Sequence, residues 1–458
     1  MSRQKNKLIL GYDNLDRMRS MRENSVDLIY LDPPFNKQKV FVLDSKNSSK
    51  KSFSDIWTLN NFSMARHVIM KKNEPKLHAL IEGIHAVNGN SWLAYLSYMS
   101  DRLLQMRRIL KPTGSIYYHC DPTMSHGIKL AMDAVFGAEN FLNEIVWCYR
   151  KWTNAVNYFQ KNHDVLLAYK AGEKPHTFNK LFDDSTANRR HYVRGYTTNR
   201  IDGVTQLLVY DKKKAAHKIK EGKYDRVVYR VGKTQTALPD WWELSILNSQ
   251  SKERIGYPTQ KPLDLLKIII QASSNRGDTV FDPFCGCATT MEAAEKLGRK
   301  WIGIDISTQV QGIVEKRISD SQYEVETRPK WNDYPGKGAA KEKVKRHFFE
   351  LQYSQNNKCY CNGCGLEFAF ENVQLDHIHP RGKGGVMDYD NAQLLCSDCN
   401  QLKAKKSMVY LYARLADYVK NVPPGQQLLW KQNPQIKRLI EDIVKYIKDH
   451  RNRRARSA

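Results

Sequence analysis

The sequence predicts an α/β domain of the Rossmann-like type, followed by a small zinc-binding domain. Apolar, strand-like runs alternate with helical patterns near the N-terminus and again around residues 279–305. A polar loop follows a strand at Asp32 and again at Asp282. Two Cys-x-x-Cys pairs beyond residue 358 indicate the zinc domain. A chain of 458 residues is long enough for two or three such domains.

The composition indicates a folded protein with a polyanionic partner. Apolar residues make up 41% and aromatic residues 10%, as in globular proteins. The 73 Lys and Arg against 48 Asp and Glu leave a net charge of +25, which favours nucleic acid or an acidic membrane surface. The start lacks a signal-like apolar run and no segment is long enough to cross a bilayer, so we expect a cytoplasmic protein. Nine cysteines, an odd number, then favour reduced thiols and metal over disulfides.

The first polar loop is Asp32-Pro33-Pro34-Phe35, directly after the apolar strand at 26–31. Proline cannot donate to a sheet ladder, so the two prolines end the strand and expose the residues around them. The loop offers a carboxylate, carbonyls without competing N–H groups, and an aromatic ring. These groups suit an exocyclic base amine: the carboxylate and a carbonyl can accept hydrogen bonds from its two N–H groups, while the phenyl ring of Phe35 stacks on the extruded base. A purely structural turn is the alternative that this motif alone leaves open.

Two less regular segments separate the strands and helices. Residues 36–90 read as a polar, irregular insertion with a helix near 76–86, either a lid or DNA-facing loop over the prolines or a solvated surface segment. The α/β pattern fails over about 180–255. There the segment 205–233 reads as a strand, a basic helical patch and a strand, with tyrosines between the basic residues. This pattern favours contact with DNA over an ordinary solvated face.

The α/β pattern returns near residue 279. A strand ends in Asp282, a tight loop contains Phe284 and Gly286, and the next strand ends in Asp305. A loop of small residues lets the backbone approach a ligand, and an acidic residue about twenty positions later can bind ribose hydroxyls. The pattern predicts a nucleotide-type cofactor site. A similar loop that binds nothing is the alternative.

Three separated motifs resemble those of the circularly permuted β class of amino DNA methyltransferases. They are Asp32-Pro33-Pro34-Phe35, Pro258-Thr259-Gln260-Lys261-Pro262 and Asp282-Pro283-Phe284-x-Gly286, within roughly residues 7–320. In that class the amine-binding motif precedes the cofactor motifs, with the target-recognition region between them. The resemblance implies S-adenosylmethionine as methyl donor and double-stranded DNA as partner.

The resemblance also implies a role for each motif residue. The cofactor site would contain Asp282, Phe284 and Gly286, with Asp305 at the ribose and Thr259 and Lys261 near the methionine end. The target amine, adenine N6 rather than cytosine N4, would be held by Asp32, Pro33, Pro34 and Phe35. Cys287 and Ala288 depart from the small residue and glycine usual in the family. Because alanine still permits a close approach, we expect cofactor binding to survive.

The tail contains a second set of motifs. The pairs Cys361-x-x-Cys364 and Cys396-x-x-Cys399 predict a structural zinc site, with four unrelated buried cysteines as the alternative. Asp376-His377 and Asn391 lie between the pairs, and Asn400 follows the last cysteine. This arrangement resembles the HNH nuclease ββα-metal motif with Asn in the final position. Zinc would stabilise a fold too small to have a sufficient core.

The residue types fit phosphodiester hydrolysis. His377 can take a proton from the attacking water. Asp376 and Asn400 offer oxygen ligands to Mg²⁺ or another divalent ion, which would stabilise charge on the departing oxygen. Asn391 is expected to tie the loop together by hydrogen bonds.

We therefore predict four segments and a bifunctional DNA enzyme. The segments are a methyltransferase at 1–325, a basic linker at 326–346, an HNH nuclease at 347–410 and a helical basic tail at 411–458. Modification and cleavage in one chain suggest restriction–modification in a bacterium or phage. The alternatives are a methyltransferase whose inactive HNH domain binds DNA, and a non-catalytic DNA-binding regulator. A homodimer is a further hypothesis.

Overall fold

The computed structural model describes most of the chain in separate ranges. These are residues 6–42, 51–151, 155–183, 196–201, 204–209, 217, 220, 226–229, 236–248, 250–251, 253–257, 259–318, 322–327, 345–346, 359–380, 382 and 391–421. The strands are β1 (Asn6–Leu10), β2 (Val26–Leu31), β3 (Lys39–Val42), β4 (Lys51–Asp55), β5 (Leu110–Cys120), β6 (Phe141–Cys148), β7 (His163–Lys170), β8 (Phe182–Asp183), β9 (Tyr196–Ile201), β10 (Val204–Val209), β11 (Arg226–Tyr229), β12 (Thr236–Ala237), β13 (Trp241–Glu243), β14 (Thr279–Asp282), β15 (Lys300–Asp305), β16 (Tyr323–Thr327), β17 (Cys359–Tyr360), β18 (Glu367–Phe368), β19 (Val373–His377) and β20 (Ala392–Cys396). The α-helices are α1 (Asn14–Ser20), α2 (Met64–Asn73), α3 (Pro75–Asn88), α4 (Asn90–Ile109), α5 (Pro122–Phe136), α6 (Leu263–Ser273), α7 (Thr289–Lys296), α8 (Gln311–Arg317), α9 (Ser397–Lys403) and α10 (Met408–Asn421).

A mixed sheet forms the centre of the larger domain. Within the described ranges it has nine strands in the order β13-β6-β7-β5-β2-β14-β15-β1-β16. The strands from β5 to β16 in that order pair in parallel, while β7 runs antiparallel to β5 and β6. The α/β class predicted from the sequence is confirmed.

Helices cover both faces of this sheet, because alternate residues of each strand point to opposite faces. Ile29 and Leu31 of β2 pack with α4, whereas Leu28 packs on the other face with α6. Both faces are apolar, which explains why the central strands read as continuous hydrophobic runs. The polar loops at the strand ends therefore project from a rigid core.

The strand order places the two polar loops side by side. β2 and β14 are parallel neighbours, with Leu28 opposite Val280 and Ile29 opposite Phe281. Their carboxyl ends therefore lie at the same edge of the sheet, where open α/β folds bind ligands. β15 and β1 follow next along this edge.

The insertion at 36–90 is more ordered than the sequence suggested. The helix expected near 76–86 is confirmed as α3, which begins at a proline suited to the first helical turn. The irregular character expected of the preceding residues is wrong for α2, which buries Met64, Ala65, His67 and Met70. Polar residues between these positions hid the helical periodicity.

The C-terminal module contains the paired strands β17–β18 and β19–β20, then α9 and α10. Strand β16 continues to Thr327, two residues past the predicted boundary at 325, because it pairs with β1 over its full length. Helix α10 crosses the boundary predicted at 410. The linker from 328 to 344 and the tail from 422 lie outside the described residues.

Residues 180–255, the segment expected to form the target-recognition region between the motifs, are described only in part. The two strands expected within 205–233 correspond to β10 and β11, which pair in parallel, and β10 also pairs antiparallel with β9. Most of the basic patch between them, including Lys212-Lys213-Lys214, lies outside the described ranges. Across those ranges, every helix is too short or too polar to span a bilayer.

Candidate active sites

A cavity of about 600 Å³ opens at the carboxyl edge of the sheet. Both polar loops border it, and its walls include Asp32, Pro34, Thr259, Lys261, Asp282, Phe284, Gly286 and Asp305. These residues come from four separate segments of the chain, near residues 32–34, 259–261, 282–286 and 305. Their convergence follows from the neighbouring positions of β2, β14 and β15.

Asp32 forms an ion pair inside this cavity. Its Oδ2 atom lies 2.6 Å from Lys261 Nζ, and both side chains are more than four-fifths buried. The sequence assigned Lys261 to the methionine end of the cofactor and Asp32 to the target amine. The structure brings these two residues into direct contact, so the two halves of the expected site are continuous.

The loop after Asp32 is held by Asp55, a residue to which the sequence assigned no role. Asp55 Oδ2 accepts hydrogen bonds from the backbone N–H groups of Phe35 (3.1 Å) and Lys37 (2.9 Å). Its Oδ1 accepts from Asn36 N (2.8 Å) and Trp57 Nε1 (2.9 Å). Only 1% of Asp55 is exposed. The insertion thus supplies the anion that shapes the proline loop.

Phe35 packs into the wall beneath the loop. Only 9% of the residue is exposed, and its ring lies 6.0 Å from that of His119. His119 shares hydrogen bonds with the Tyr30 hydroxyl (2.9 Å) and with Asp164 (3.2 Å). Burial opposes ionisation of Asp164, but hydrogen bonds from His119 and Tyr149 together with the electrostatic effects of His119 and Lys261 outweigh burial and lower the pKa of Asp164. Lys261 Nζ lies 5.3 Å from the centre of the Phe35 ring, so this aromatic face lies beside the Asp32–Lys261 ion pair.

The second loop is organised by two carboxyl groups, the buried Asp282 and the partly buried Asp305. Asp282 accepts hydrogen bonds from Phe284 N (3.0 Å) and Thr290 Oγ1 (2.6 Å). Asp305 accepts from the backbone N–H groups of Gly286 (2.9 Å) and Ser307 (2.8 Å). Burial raises the pKa of Asp282 to about 7 and that of Asp305 to about 6. Each Asp305 oxygen still has a second lone pair for a ribose hydroxyl.

The departure from glycine at Ala288 has a conformational consequence. Gly286 has a φ of +46°, and a Cβ there would lie 3.2 Å from the Tyr257 ring. Ala288 also adopts the left-handed conformation, with a φ of 60°. Alanine does so only with strain, whereas glycine is nearly free of it. Alanine therefore permits a close approach of the backbone to a ligand, as expected from the sequence, but at a conformational cost that the sequence pattern did not reveal.

Residues directly after β1 also reach the site, and the sequence analysis missed them. Tyr12, Asp13 and Asn14 line the cavity. Asn14 Nδ2 donates to Pro283 O (2.8 Å), and fully buried Arg102 binds both Asn14 Oδ1 (2.6 Å) and Asp13 Oδ1 (2.5 Å). The signal that could have found them is a polar turn after a buried strand.

The four cysteines of the C-terminal module converge. The Sγ atoms of Cys361, Cys364, Cys396 and Cys399 lie within 4.8 Å of one another, and all four residues are buried. Cys361 Sγ also accepts hydrogen bonds from two backbone N–H groups, those of Gly363 and Cys396. Zn–S bonds of about 2.3 Å place tetrahedral sulfurs about 3.8 Å apart, so this four-cysteine cluster fits a zinc ion.

Three of the predicted nuclease residues lie on β19 and α9: Asp376 and His377 at the end of β19, and Asn400 in α9. Asp376 Oδ2 lies 2.9 Å from Lys403 Nζ and accepts from Gln393 Nε2 (3.0 Å). Lys403 is only 1% exposed and also donates to His377 O (2.6 Å). Asn400 Nδ2 donates to Gln374 Oε1 (2.5 Å). The sequence analysis missed Lys403, whose ammonium group occupies an acceptor expected to bind a metal ion.

Asn391 bridges the loop after β19. Its Oδ1 accepts from His379 N (2.5 Å), and its Nδ2 donates to His379 O (2.9 Å). His379, Ile378 and Gln393 also line the cavity that contains Asp32. The C-terminal module therefore forms part of the wall of the larger domain's site.

The fold and its cavity define an α/β domain with a ligand-sized cavity at the carboxyl edge of its sheet and a four-cysteine module beside it. The profile of the N6/N4 DNA methylase family matches residues 26–316, and the chain belongs to this family. The HNH endonuclease profile matches residues 361–406. The expected pairing of an amino DNA methyltransferase domain with a C-terminal HNH domain is confirmed.

Individual relatives are similar over part of the chain. The type II methyltransferase M.EcaI of Enterobacter cloacae is 33% identical over 267 residues, which is 49% of this chain and 58% of that protein, so the match spans little more than half of M.EcaI. M.HpaI of Haemophilus parainfluenzae is 25% identical over 306 residues, covering 67% of this chain and 72% of that protein. The solved PvuII DNA methyltransferase, described as cytosine-N4-specific, aligns with 70% of this chain and 95% of its own, at 13% identity and a TM-score of 0.36.

Proposed function

We propose that the chain transfers a methyl group from S-adenosylmethionine to an exocyclic base amine in double-stranded DNA. The observation that carries the proposal is the single cavity bordered by Asp32 at the end of β2 and Gly286 after β14. The order of the motifs along the chain supports the permuted β class. The Asp-Pro-Pro-Phe form of the first motif favours adenine N6 over cytosine N4.

The residues of the cavity suit both ligands. A volume of about 600 Å³ lies in the usual range of small-molecule sites. Asp282 and the Gly286 loop would hold the cofactor with Asp305 at its ribose, and the bound cofactor supplies an electrophilic methyl group. Asp32 and a carbonyl of the proline loop would accept hydrogen bonds from the two N–H groups of the amine on an extruded base. Lys261, paired with Asp32, would keep that carboxylate oriented between the two ligands.

Methyl transfer is tested directly with tritiated S-adenosylmethionine and genomic DNA. We expect incorporation by the wild type and none by Asp32→Ala, with thermal unfolding of both proteins as the check on folding. Sequencing modified bases in DNA from cells that express the protein identifies the base, the atom and the site. No incorporation by a folded wild type on any genomic DNA would support the regulator instead.

We also propose that the HNH module hydrolyses DNA, with His377 as general base and Asp376 and Asn400 as ligands of a divalent ion. The four-cysteine cluster, the HNH profile and the position of these residues on β19 and α9 support this role. A restriction–modification system of a bacterium or phage would combine the two activities. His377→Ala should abolish cleavage and leave methyl transfer intact, whereas undiminished cleavage would remove His377 from the mechanism.

One observation favours a second candidate, in which the HNH module only binds DNA. The buried ammonium of Lys403 neutralises Asp376, so this carboxylate has less need of a metal ion. Lys403→Met leaves a buried carboxylate unpaired, which costs about 3–5 kcal/mol when no cation replaces the lysine. Recovery of thermal stability with Mg²⁺ supports a metal site at Asp376. No recovery, together with no cleavage by the wild type, supports the binding module.

A further inference from the structure

A second cluster of metal-binding side chains lies in the insertion, away from the four cysteines. His67 is on α2, and His78 and Glu82 lie one turn apart on α3. His67 Nε2 lies 2.9 Å from His78 Nε2 and 3.0 Å from Glu82 Oε1. These three atoms lie within 4.8 Å of one another. Neither the profiles nor the motifs in the sequence assign a role to these residues.

Neutral rings cannot give both of these contacts a full hydrogen bond. An Nε2 atom of a neutral imidazole either carries one hydrogen or accepts one. If His67 Nε2 donates to Glu82, it has no lone pair for His78; if it accepts from His78, it faces the Glu82 carboxylate without a hydrogen. Glu82 Oε1 is buried and has no hydrogen bond of good geometry among the described residues. The two close contacts therefore have at most one hydrogen of His67 Nε2 between them.

We propose that His67, His78 and Glu82 bind a divalent transition-metal ion such as Zn²⁺. Two imidazole nitrogens and one carboxylate oxygen are a common zinc ligand set that leaves a fourth position for water. Ligand bonds of about 2.0–2.1 Å would place tetrahedral donors about 3.3 Å apart, so only a small spread of the present contacts is needed. The ion would join α2 to α3.

The position of α2 gives this ion a structural consequence. Ala65 of α2 packs in an apolar cluster with residues of the four-cysteine module, including Tyr360 and Leu375. Ser63, at the N-terminus of α2, donates a hydrogen bond to Asn362 (3.1 Å). Helix α2 therefore contacts the four-cysteine module through Ser63 and Ala65, and it also places His67 against α3. By joining α2 to α3, metal binding would stabilise the helix that contacts the four-cysteine module.

His67 Nδ1 is buried without a hydrogen-bond partner among the described residues. A partner on the second ring nitrogen normally orients a metal-bound histidine and strengthens its binding. The site should accordingly release its ion to a chelator before the four-cysteine cluster does. This difference lets the two sites be separated by experiment.

The test measures zinc in the full-length chain after equilibration with a small excess of Zn²⁺ and gel filtration. His78→Gln and Glu82→Gln should each contain one zinc fewer than the wild type. His126→Gln is the matched control, because this exposed histidine of α5 lies outside the cluster, and it should keep the wild-type content. Equal zinc content in the wild type and both cluster variants would overturn the proposal and leave a hydrogen-bonded triad.

Cobalt titration of the wild type covers the case in which the variants fail to fold. Co²⁺ bound by thiolates shows a sulfur-to-metal charge-transfer absorption, whereas Co²⁺ bound by nitrogen and oxygen lacks it. We expect a later titration step without that absorption, accompanied by slower amide exchange in α2 and α3. Uptake confined to the charge-transfer step, with unchanged exchange in these helices, would exclude the site.

Discussion

The proline loop should depend on the buried carboxylate of Asp55. In Asp55→Asn an NH₂ group replaces one oxygen, so two N–H donors face a donor in either orientation of the amide. If the new group replaces Oδ2, the affected donors are the backbone N–H groups of Phe35 and Lys37. Hydrogen bonds to charged groups contribute about 1.5–3 kcal/mol each, so the change should cost about 3–6 kcal/mol. Since domains are stable by about 5–15 kcal/mol, the variant should remain folded but with a displaced loop.

Displacement of this loop should reduce the rate of methyl transfer more than cofactor binding. A shift of about 1 Å in a positioned group can lower a rate by about 100-fold. The assay compares kcat for tritiated methyl transfer, thermal unfolding and S-adenosylmethionine affinity in the wild type, Asp55→Asn and Asp264→Asn. Asp264 is an exposed carboxylate on α6 and serves as the matched control. Wild-type kcat and Tm in Asp55→Asn would refute the argument that Asp55 holds the loop.

Three further perturbations follow from the same geometry. Burial raises the pKa of Asp282 to about 7 from an ordinary 3.8, so the folded state holds a proton that the unfolded state releases, and the contribution of Asp282 to the free energy of unfolding should fall as pH rises from about 4 to 7. Asp282→Asn should reduce this pH dependence in thermal unfolding and leave the smaller contribution of Asp305. Lys261→Met leaves Asp32 without its ion-pair partner and should lower kcat/KM for methyl transfer by about 10-fold or more. A double-mutant cycle with Asp32→Asn should show strong coupling between the two substitutions, whereas additive effects would contradict a functional pair. Cys396→Ser should remove the thiolate-bound zinc, which metal analysis would detect. The loss of zinc should abolish both DNA cleavage and the protection of β19 and β20 from hydrogen exchange, whereas retained protection would mean that the four-cysteine module folds without zinc.

The main features of both modules were readable from local patterns. The strand before Asp32 and the strand before Asp282 are apolar runs ended by polar loops, and such signals need only neighbouring residues. The cysteine pairs were equally clear, since two residues between ligands is a spacing that a tight turn imposes. In both cases the chemistry of the site is encoded within a few consecutive positions.

Contacts between distant segments could not be read in the same way. Asp55 lies 20 residues from Phe35, and Lys261 lies 229 residues from Asp32. Nothing in the sequence around Lys403 indicates that its ammonium group is buried against Asp376. The His67, His78 and Glu82 cluster likewise needs two helices to meet before any ligand pattern exists.

The sequence by itself determined the residue types of the two sites and the order of the motifs along the chain, because strand ends, proline turns and cysteine spacing are short-range properties. Only the tertiary structure decided which distant residues meet: strand order brings β2 next to β14, and apolar packing brings α2 against the four-cysteine module. A buried carboxylate requires a partner wherever the fold places it. Asp32, Asp55 and Asp376 each have one, and in each case the pairing joins residues too far apart in sequence for a local pattern to predict their contact.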